Sequence, residues 1–422
     1  MIGIWETGVH LQSFPRAILH VDGDAFFASC ETALHPELRG RVVITGKERG
    51  IASSLSYEAK ARGVRRGMTF KEIKQLCPDA IILSSDYETY SLFSKRMFAI
   101  MRRFTGQVEE YGIDEGFADL TGMREPLHMS YEDIARTMKK TIDEELGLTV
   151  SVGLAPSKSL AKMASKWQKP NGFTSVPGRA IRGYLSVLPV ENIWGVGRNT
   201  TQYMNSLGIL TAADFTSRPF EFIEQHFTKP HQEMWHELNG VAVWPITVEE
   251  KTTYASISKT KTFTPPSIDP EFLVAQLTRN LENACIKARR HGLVARRLIV
   301  YLRTQQFSHV AVEAKITRAS NFPHDLIPHM RTLFADAFKR GVQYRATGVV
   351  LADLQTDSSV QSSLFESPVR MEKLQRVYAA VDALSAEFGK HIVHVGGSQT
   401  KFARPQSVAT ERLNIPELMV RV

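Results

Sequence analysis

Apolar and polar positions along the first 170 residues alternate between short strand-like runs and longer stretches of helical period. Ile18-Leu19 and Val21 make an apolar run of strand length that ends abruptly on Asp22-Gly23-Asp24, and Phe26 to Glu31 then opens a helix. Val42 to Ile44 and Ile51 to Ser54 predict two short strands, followed by a short helix over Tyr57 to Ala61. Leu92, Phe93, Met97, Ile100, Met101 and Phe104 recur at helical spacing and predict a helix over 87–106. Strand-like runs flank Asp114-Glu115 within Tyr111 to Thr121. An amphipathic helix over 131–146, a buried strand over Leu148 to Leu154 and a helix over 157–167 come next.

The order strand, helix, two strands, helix, strand is a split βαβ pattern of ferredoxin type, with residues 40–86 inserted as a small unit after the first helix. Two short helices around Gly195-Val196-Gly197 follow, and residues 247–255 have no apolar period and read as a linker. Strands over Arg296 to Arg303 and Ala311 to Arg318 alternate enough to bury one face, which helices near 269–291 and 323–340 would cover. One more amphipathic helix is predicted over 371–388. Residues 1–16 and the last 23 residues fit no element. The chain reads as an α+β multidomain protein.

Composition narrows this picture in three ways. At 422 residues the chain is too long for one core and fits two to four domains. Its net charge of +8 is not spread evenly: residues 256–355 hold 15 Lys+Arg against 7 Asp+Glu, a net of +8 that equals the total, so the other 322 residues are neutral overall. A basic face of that kind suits the backbone of a nucleic-acid duplex. The three cysteines, Cys30, Cys77 and Cys285, form no CxxC pair and read as buried thiols in a reducing compartment. Glu6 interrupts the only apolar stretch of the N-terminus, and no run approaches the roughly 18 apolar residues of a membrane span. The expectation is a soluble, cytoplasmic protein with no membrane partner.

Candidate chemistry begins at Asp22. In an extended strand Asp22 and Asp24 project the same way, and Gly23 leaves its backbone carbonyl uncovered, which makes a hard-oxygen site suited to Mg²⁺. One segment supplies too few ligands for a catalytic ion pair, so Asp114-Glu115 is the expected second source of acids. Lys158, Lys162 and Lys166, at i, i+4 and i+8, lie on one helix face, where a lysine stripe is ordinarily solvated. None of the chain's 13 histidines is given a role.

The stretches HVDGDAFFASCE, SYEAKARGVRRGM, YGIDEGFADLTG, SVGLAPSKSLAKMASKWQKPNG and Gly195-Val196-Gly197, in that order, resemble the Y-family translesion DNA polymerases of the bacterial DinB and UmuC kind. The resemblance runs from about residue 17 to about residue 395. It implies a right-hand polymerase: palm over 1–26 and 87–175, fingers over 27–86, a helix-hairpin-helix thumb over 176–246, a little finger over 256–355 and a tail over 356–422.

The same resemblance implies roles for particular residues. Asp22, Asp114 and Glu115, with the Gly23 carbonyl, would hold two Mg²⁺ ions, and such ions sit roughly 3.5–4 Å apart in two-metal phosphoryl transfer. Phe27 would be the steric gate against a 2′-hydroxyl, with Phe26 beside it at the nucleotide. Ser54, Tyr57, Lys60 and Lys169 would hold the triphosphate, Lys60 standing where many relatives have arginine. Gly116 stands where alanine is more common, a change expected to loosen the backbone. Gly195, Gly197 and Arg198 would grip a DNA phosphate, Arg296 and Arg297 the duplex backbone, and Gln361, Leu364 and Phe365 the bacterial sliding (beta) clamp.

The implied activity is template-directed, low-fidelity addition of dNTPs to a primer-template by a monomer. The alternatives are an inactive DNA- and clamp-binding scaffold of the same fold, or another palm-fold phosphoryl transferase such as a nucleotide cyclase. Retention of the three acids argues against the scaffold. A nucleotide cyclase would have no use for the basic domain.

Overall fold

The computed structural model describes residues 14–249, 254–357, 368–388 and 392–398. The chain divides into two compact units, Met1–Glu250 and Lys251–Val422. Among the described residues no helix is long and apolar enough to cross a membrane.

The first unit is built on a five-stranded sheet in the order Val108–Glu109, Glu115–Asp119, Ile18–Gly23, Val150–Ala155, Phe173–Ser175. All pairs are antiparallel except the last. Ile18–Gly23 is therefore central, flanked by the two strands with which it is expected to cooperate, and the first four strands have the ferredoxin-type order.

Alternation along Ile18–Gly23 divides its side chains between two cores. Leu19 and Val21 are buried with Phe98, Met101, Met138 and Ile142 from the helices Tyr87–Arg102 and Tyr131–Leu146. Ile18 packs on the opposite face with Leu160 and Met163 of the helix Lys158–Trp167, hereafter the lysine helix. His20 and Asp22 share the parity of Ile18, and that parity directs the acid of the first motif toward the lysine helix.

Gly153 explains how close that helix comes. A Cβ at this position would stand 2.1 Å from the Ala161 carbonyl oxygen and 2.4 Å from the Ser165 nitrogen, so strand and helix backbones touch with nothing between them. Gly116 has a similar reason to be glycine. A Cβ there would fall 2.4 Å from the Phe98 ring and 2.7 Å from the Glu109 carbonyl. The residue makes room for packing; it does not simply loosen the strand.

The inserted unit forms a separate three-stranded sheet, Ser54–Leu55, Val43–Thr45, Ile81–Leu83, with its own small core around Ile44, Ile73 and Ala59. The strand expected over 51–54 is shorter and displaced: Ile51 makes only an isolated bridge to Thr69, because the chain around it turns through Gly46 and Gly50 at positive φ. Beyond residue 176 the first unit is helical, with Ile181–Ser186, Arg198–Ser206, Ala212–Thr216, Phe220–His226 and Lys229–Leu238 packed on the lysine-helix side.

The second unit has a four-stranded antiparallel sheet in the order His309–Ser320, Leu293–Thr304, Tyr344–Thr356, Ser256–Ser267. Helices Pro270–Arg290 and Pro323–Ala337 cover one face through Leu273, Leu277, Leu281, Leu326 and Met330. A further helix, Pro368–Phe388, docks on this unit by a bidentate contact of Arg289 to Asp382, 2.7 Å at each end, and by stacking of Tyr378 on Phe322.

Gly153→Ala should destabilise the first unit by about 3 kcal/mol and lower its melting midpoint by about 10 °C, since neither backbone can retreat. Differential scanning calorimetry reads this directly. An unchanged midpoint would contradict the contact.

Candidate active site

Asp22 and Glu115 are cross-strand neighbours in the antiparallel pair, and Asp114 enters the same edge through its backbone, accepting the Gly23 N–H at 2.7 Å. Asp22 and Glu115, 93 residues apart in the chain, thus meet at the end of two adjacent strands. Gly23 is fixed here by space: a Cβ would lie 2.7 Å from the Phe26 ring.

Two lysines come to these carboxylates. Lys169 Nζ lies 2.5 Å from Asp22 Oδ1, and Lys162 Nζ lies 2.5 Å from Glu115 Oε2. Lys158 is equally buried and pairs with both oxygens of Glu109, at 2.8 and 2.7 Å. Lys158 and Lys162 are therefore interior counter-charges, and only Lys166 of the stripe is exposed. The exposed-face expectation fails because an i, i+4 stripe looks the same whether it faces water or an acidic sheet edge.

His20 is the residue that sequence reasoning passed over. It is fully buried, its Nδ1 lies 2.8 Å from Ser165 Oγ, and its Nε2 lies 3.3 Å from Glu115 Oε2. His20, Asp22 and Glu115 can each offer a ligand atom within 4.8 Å of the others. Its position two residues before Asp22, on the same strand face, was the available signal.

Electrostatics separate the acids. Burial raises the Asp114 carboxyl above its usual range, and the charges of Asp22 and Glu115 push it the same way. For Glu115 burial also acts upward, but the contacts with His20 and Lys162 outweigh it and bring the group down to about 2. Burial holds the imidazole of His20 below its ordinary value. The cluster thus contains two carboxylates paired with internal cations and, in Asp114, one with no ion pair among the described residues. An oxygen-rich donor set with unmatched negative charge fits a hard divalent cation.

Asp24 does not join this group as strand alternation predicts. The strand ends at Gly23, and Asp24, 1 % exposed, accepts from Ser151 Oγ and the Asn171 N–H, both at 2.7 Å. It anchors the loop that carries Lys169, whose Nζ is also 3.8 Å from Asp24.

The inserted unit meets the site through the same charges. Tyr57 OH reaches Asp24 at 3.5 Å, and Lys60 Nζ lies 3.9 Å over the Tyr57 ring. Burial, then the Asp24 charge, raises the Tyr57 phenol and keeps it a proton donor; burial and the Lys169 charge lower Lys60. Ser54 is buried, with its hydroxyl 3.4 Å from the Ala25 carbonyl.

Phe27 is half-buried and stacked on Tyr90, centroids 4.5 Å apart at 13°, with Tyr87 edge-on at 5.3 Å. Phe26, expected beside the nucleotide, is instead 3 % exposed in the core with Met97 and Met101. Contact with a substrate would require that core to open.

The remaining expected residues lie farther along the chain. Gly195, Gly197 and Arg198 are exposed, Gly195 at φ +93° turns the chain, and Gly197 caps the helix Arg198–Ser206 without a side chain over its first N–H groups. In the second unit Arg296 is exposed and Arg297 partly so, 3.6 Å from Glu313, beside a register shift in the sheet. Gln361, Leu364 and Phe365 lie outside the described residues.

Comparison with known proteins identifies the family. The impB/mucB/samB family profile matches residues 21–166 and its C-terminal domain profile residues 254–364. The DNA polymerase IV of Moorella thermoacetica is 32% identical over 389 residues, 91% of this chain and 96% of the relative. That of Desulfatibacillum aliphaticivorans is 30% identical over 390 residues, 92% and 98% of the two chains. Among solved structures, a Y-family DNA polymerase chimera of Dbh and Dpo4 has a TM-score of 0.69 at 24% identity, covering 81% of this chain and 99% of its own. An insertion ternary complex of Dbh DNA polymerase has a TM-score of 0.54 at 23% identity, covering 80% and 98%. These structural likenesses bear on the fold.

Asp24→Ala would leave the buried Ser151 hydroxyl and the Asn171 N–H without their acceptor, a loss of about 3 kcal/mol. Amide exchange at residues 171–173 should then accelerate roughly 100-fold, the equivalent of that free energy; exchange at the wild-type rate would show that Asp24 does not anchor the loop.

Matched over most of its length by relatives named as this polymerase, and carrying the acids at one sheet edge, the chain belongs to the Y-family of DNA polymerases, of the DinB or DNA polymerase IV type, and is a metal-dependent, DNA-directed DNA polymerase of translesion synthesis.

Proposed function

We propose that the edge formed by Asp22, Asp114 and Glu115, with the Gly23 carbonyl, is where the polymerase holds two Mg²⁺ ions and joins a dNTP to a primer. The observation that carries this reading is the meeting of Asp22, Glu115 and His20 within ligand reach, beside an Asp114 whose carboxyl is raised by burial and by the neighbouring acids. In the reaction the primer 3′ oxygen forms a bond to the α-phosphorus while the bond to the bridging oxygen breaks, and pyrophosphate leaves. When bound, the ions lower the pKa of the 3′-hydroxyl and neutralise the triphosphate.

The chain's own residues orient the reactants. Lys169, 2.5 Å from Asp22, is placed to transfer its ammonium to the triphosphate and free the carboxylate for an ion. Tyr57, kept protonated, donates to a phosphate oxygen beside Lys60, while Ser54 lines the same wall. Phe27, immobilised against Tyr90 and Tyr87, lies against the sugar and excludes a 2′-hydroxyl. Backbone N–H groups at Gly195, Gly197 and Arg198 hold a DNA phosphate at a helix N-terminus.

Arg296 and Arg297 contact the duplex backbone without reading sequence, in the domain that contains the net positive charge. Gln361, Leu364 and Phe365 form a peptide for the sliding clamp, and the polymerase works as a monomer.

Asp114→Ala should lower primer extension roughly 10³-fold, measured in single turnover with a primer-template and one dNTP. Equal extension would move the chemistry away from these acids. Phe27→Ala should raise ribonucleotide incorporation relative to dNTP by roughly 100-fold, scored on the same substrate with matched rNTP; an unchanged ratio would remove the gate assignment.

A further inference from the structure

Lys162 occupies an unusual position for an ammonium group. It is 5 % exposed, its Nζ is 2.5 Å from Glu115 Oε2, and its remaining surroundings include two aromatic faces, Tyr111 at 4.7 Å and Trp194 at 5.0 Å. A buried ammonium is tolerated only where such partners replace water. Trp194 is the residue immediately before the Gly195–Gly197 turn. It stands edge-on to Tyr111 at 5.6 Å, tilted on Phe117 at 6.0 Å, and edge-on to Trp244 at 5.4 Å.

Trp244 is in turn fixed by a fully buried acid. Glu237 Oε1 accepts the N–H groups of Val243 and Trp244, while Glu237 Oε2 accepts the N–H of Ser159 on the lysine helix. The hairpin thus reaches the lysine helix through Trp194, directly by its ring beside Lys162 and indirectly through Trp244 and Glu237. Both routes end on the helix that carries Lys162.

We propose that Lys162 is a positioning residue for Glu115, held in place by Trp194, so that the hairpin at Gly195–Gly197 and the metal-binding acid are mechanically coupled. The inference rests on the reading that Asp22, Asp114 and Glu115 hold the metal ions. Lys162 keeps the Glu115 carboxylate in one orientation, and as a cation it also competes with any metal ion that approaches the same oxygens. These two actions have opposite consequences for metal affinity and for turnover. A lysine that only supported the fold would weaken both together.

The test uses the full chain with Lys162→Met, Lys162→Arg, Trp194→Phe, the Lys162→Met/Trp194→Phe double variant and Asp22→Asn. Two readouts are needed: Mn²⁺ binding to the DNA-free protein by electron paramagnetic resonance, and single-turnover primer extension across a dNTP series. Lys162→Met should bind Mn²⁺ about tenfold more tightly, yet extend about 10- to 100-fold more slowly at saturating dNTP with its dNTP affinity unchanged. Lys162→Arg should recover the rate to within about threefold, because the charge and the ring contacts persist.

Trp194→Phe should slow extension about threefold to tenfold at unchanged Mn²⁺ affinity, and the double variant should be no slower than Lys162→Met alone. Wild-type extension by Lys162→Met, weakened Mn²⁺ binding alongside its slower rate, or rate defects that multiply in the double variant would each overturn the proposal. If Lys162→Met does not fold, Lys162→Arg and Trp194→Phe decide: a slow, unrescued arginine variant or a fully active phenylalanine variant overturns it. Asp22→Asn separates the two readings. Mn²⁺ binding that survives this change defeats the metal site itself, whereas its loss, together with wild-type behaviour of Lys162→Met, defeats only the coupling.

Discussion

Repulsion among carboxylates is the constraint around which the first unit is arranged. Asp22, Asp114 and Glu115 share one sheet edge, and bringing three negative charges together in a partly buried place is unfavourable unless cations are supplied. The fold supplies two from within, Lys162 on Glu115 and Lys169 on Asp22, and leaves Asp114 without one of its own. The placement of the lysine helix, the buried Asp24 that fixes the Lys169 loop, and the glycine that lets the helix touch the strand all serve this charge balance.

How much of this could be read from the sequence depends on the range of the signal. The helix over 131–146 is Tyr131–Leu146 because a local repeat of apolar residues, with Ser130 as N-cap and Gly147 at the C-cap, specifies it completely. The pairing of Asp22 with Glu115 was reached only through motifs, since nothing within either segment says that they share a sheet edge. Phe26 and Phe27 show the limit most clearly. Adjacent aromatics at the start of one helix look alike on paper, yet one is sealed in the core and the other stacks against two tyrosines at its surface.

The lysine stripe and His20 escaped for a related reason. Periodicity tells which residues share a face but not what that face meets, and the tertiary partners of Lys158 and Lys162 are 49 and 47 residues away. Gly116 misled in the other direction. Its absence of a side chain reads as looseness in one dimension, whereas in the folded protein it is the space into which Phe98 fits. The charge of the second unit, by contrast, needed no structure at all, since net charge is additive along the chain.

The contact at Gly153 has a geometric corollary for movement within this unit. Side chains on the same face of its strand recur two residues away, at Ser151 and Ala155, about 6.6 Å to either side. Sliding the helix along the strand by that interval would drive its backbone into a Cβ. The gap left by one missing methyl therefore acts as an indexing notch that admits a single axial setting, and whatever rearrangement accompanies a catalytic cycle must pivot about this seam and not travel along it.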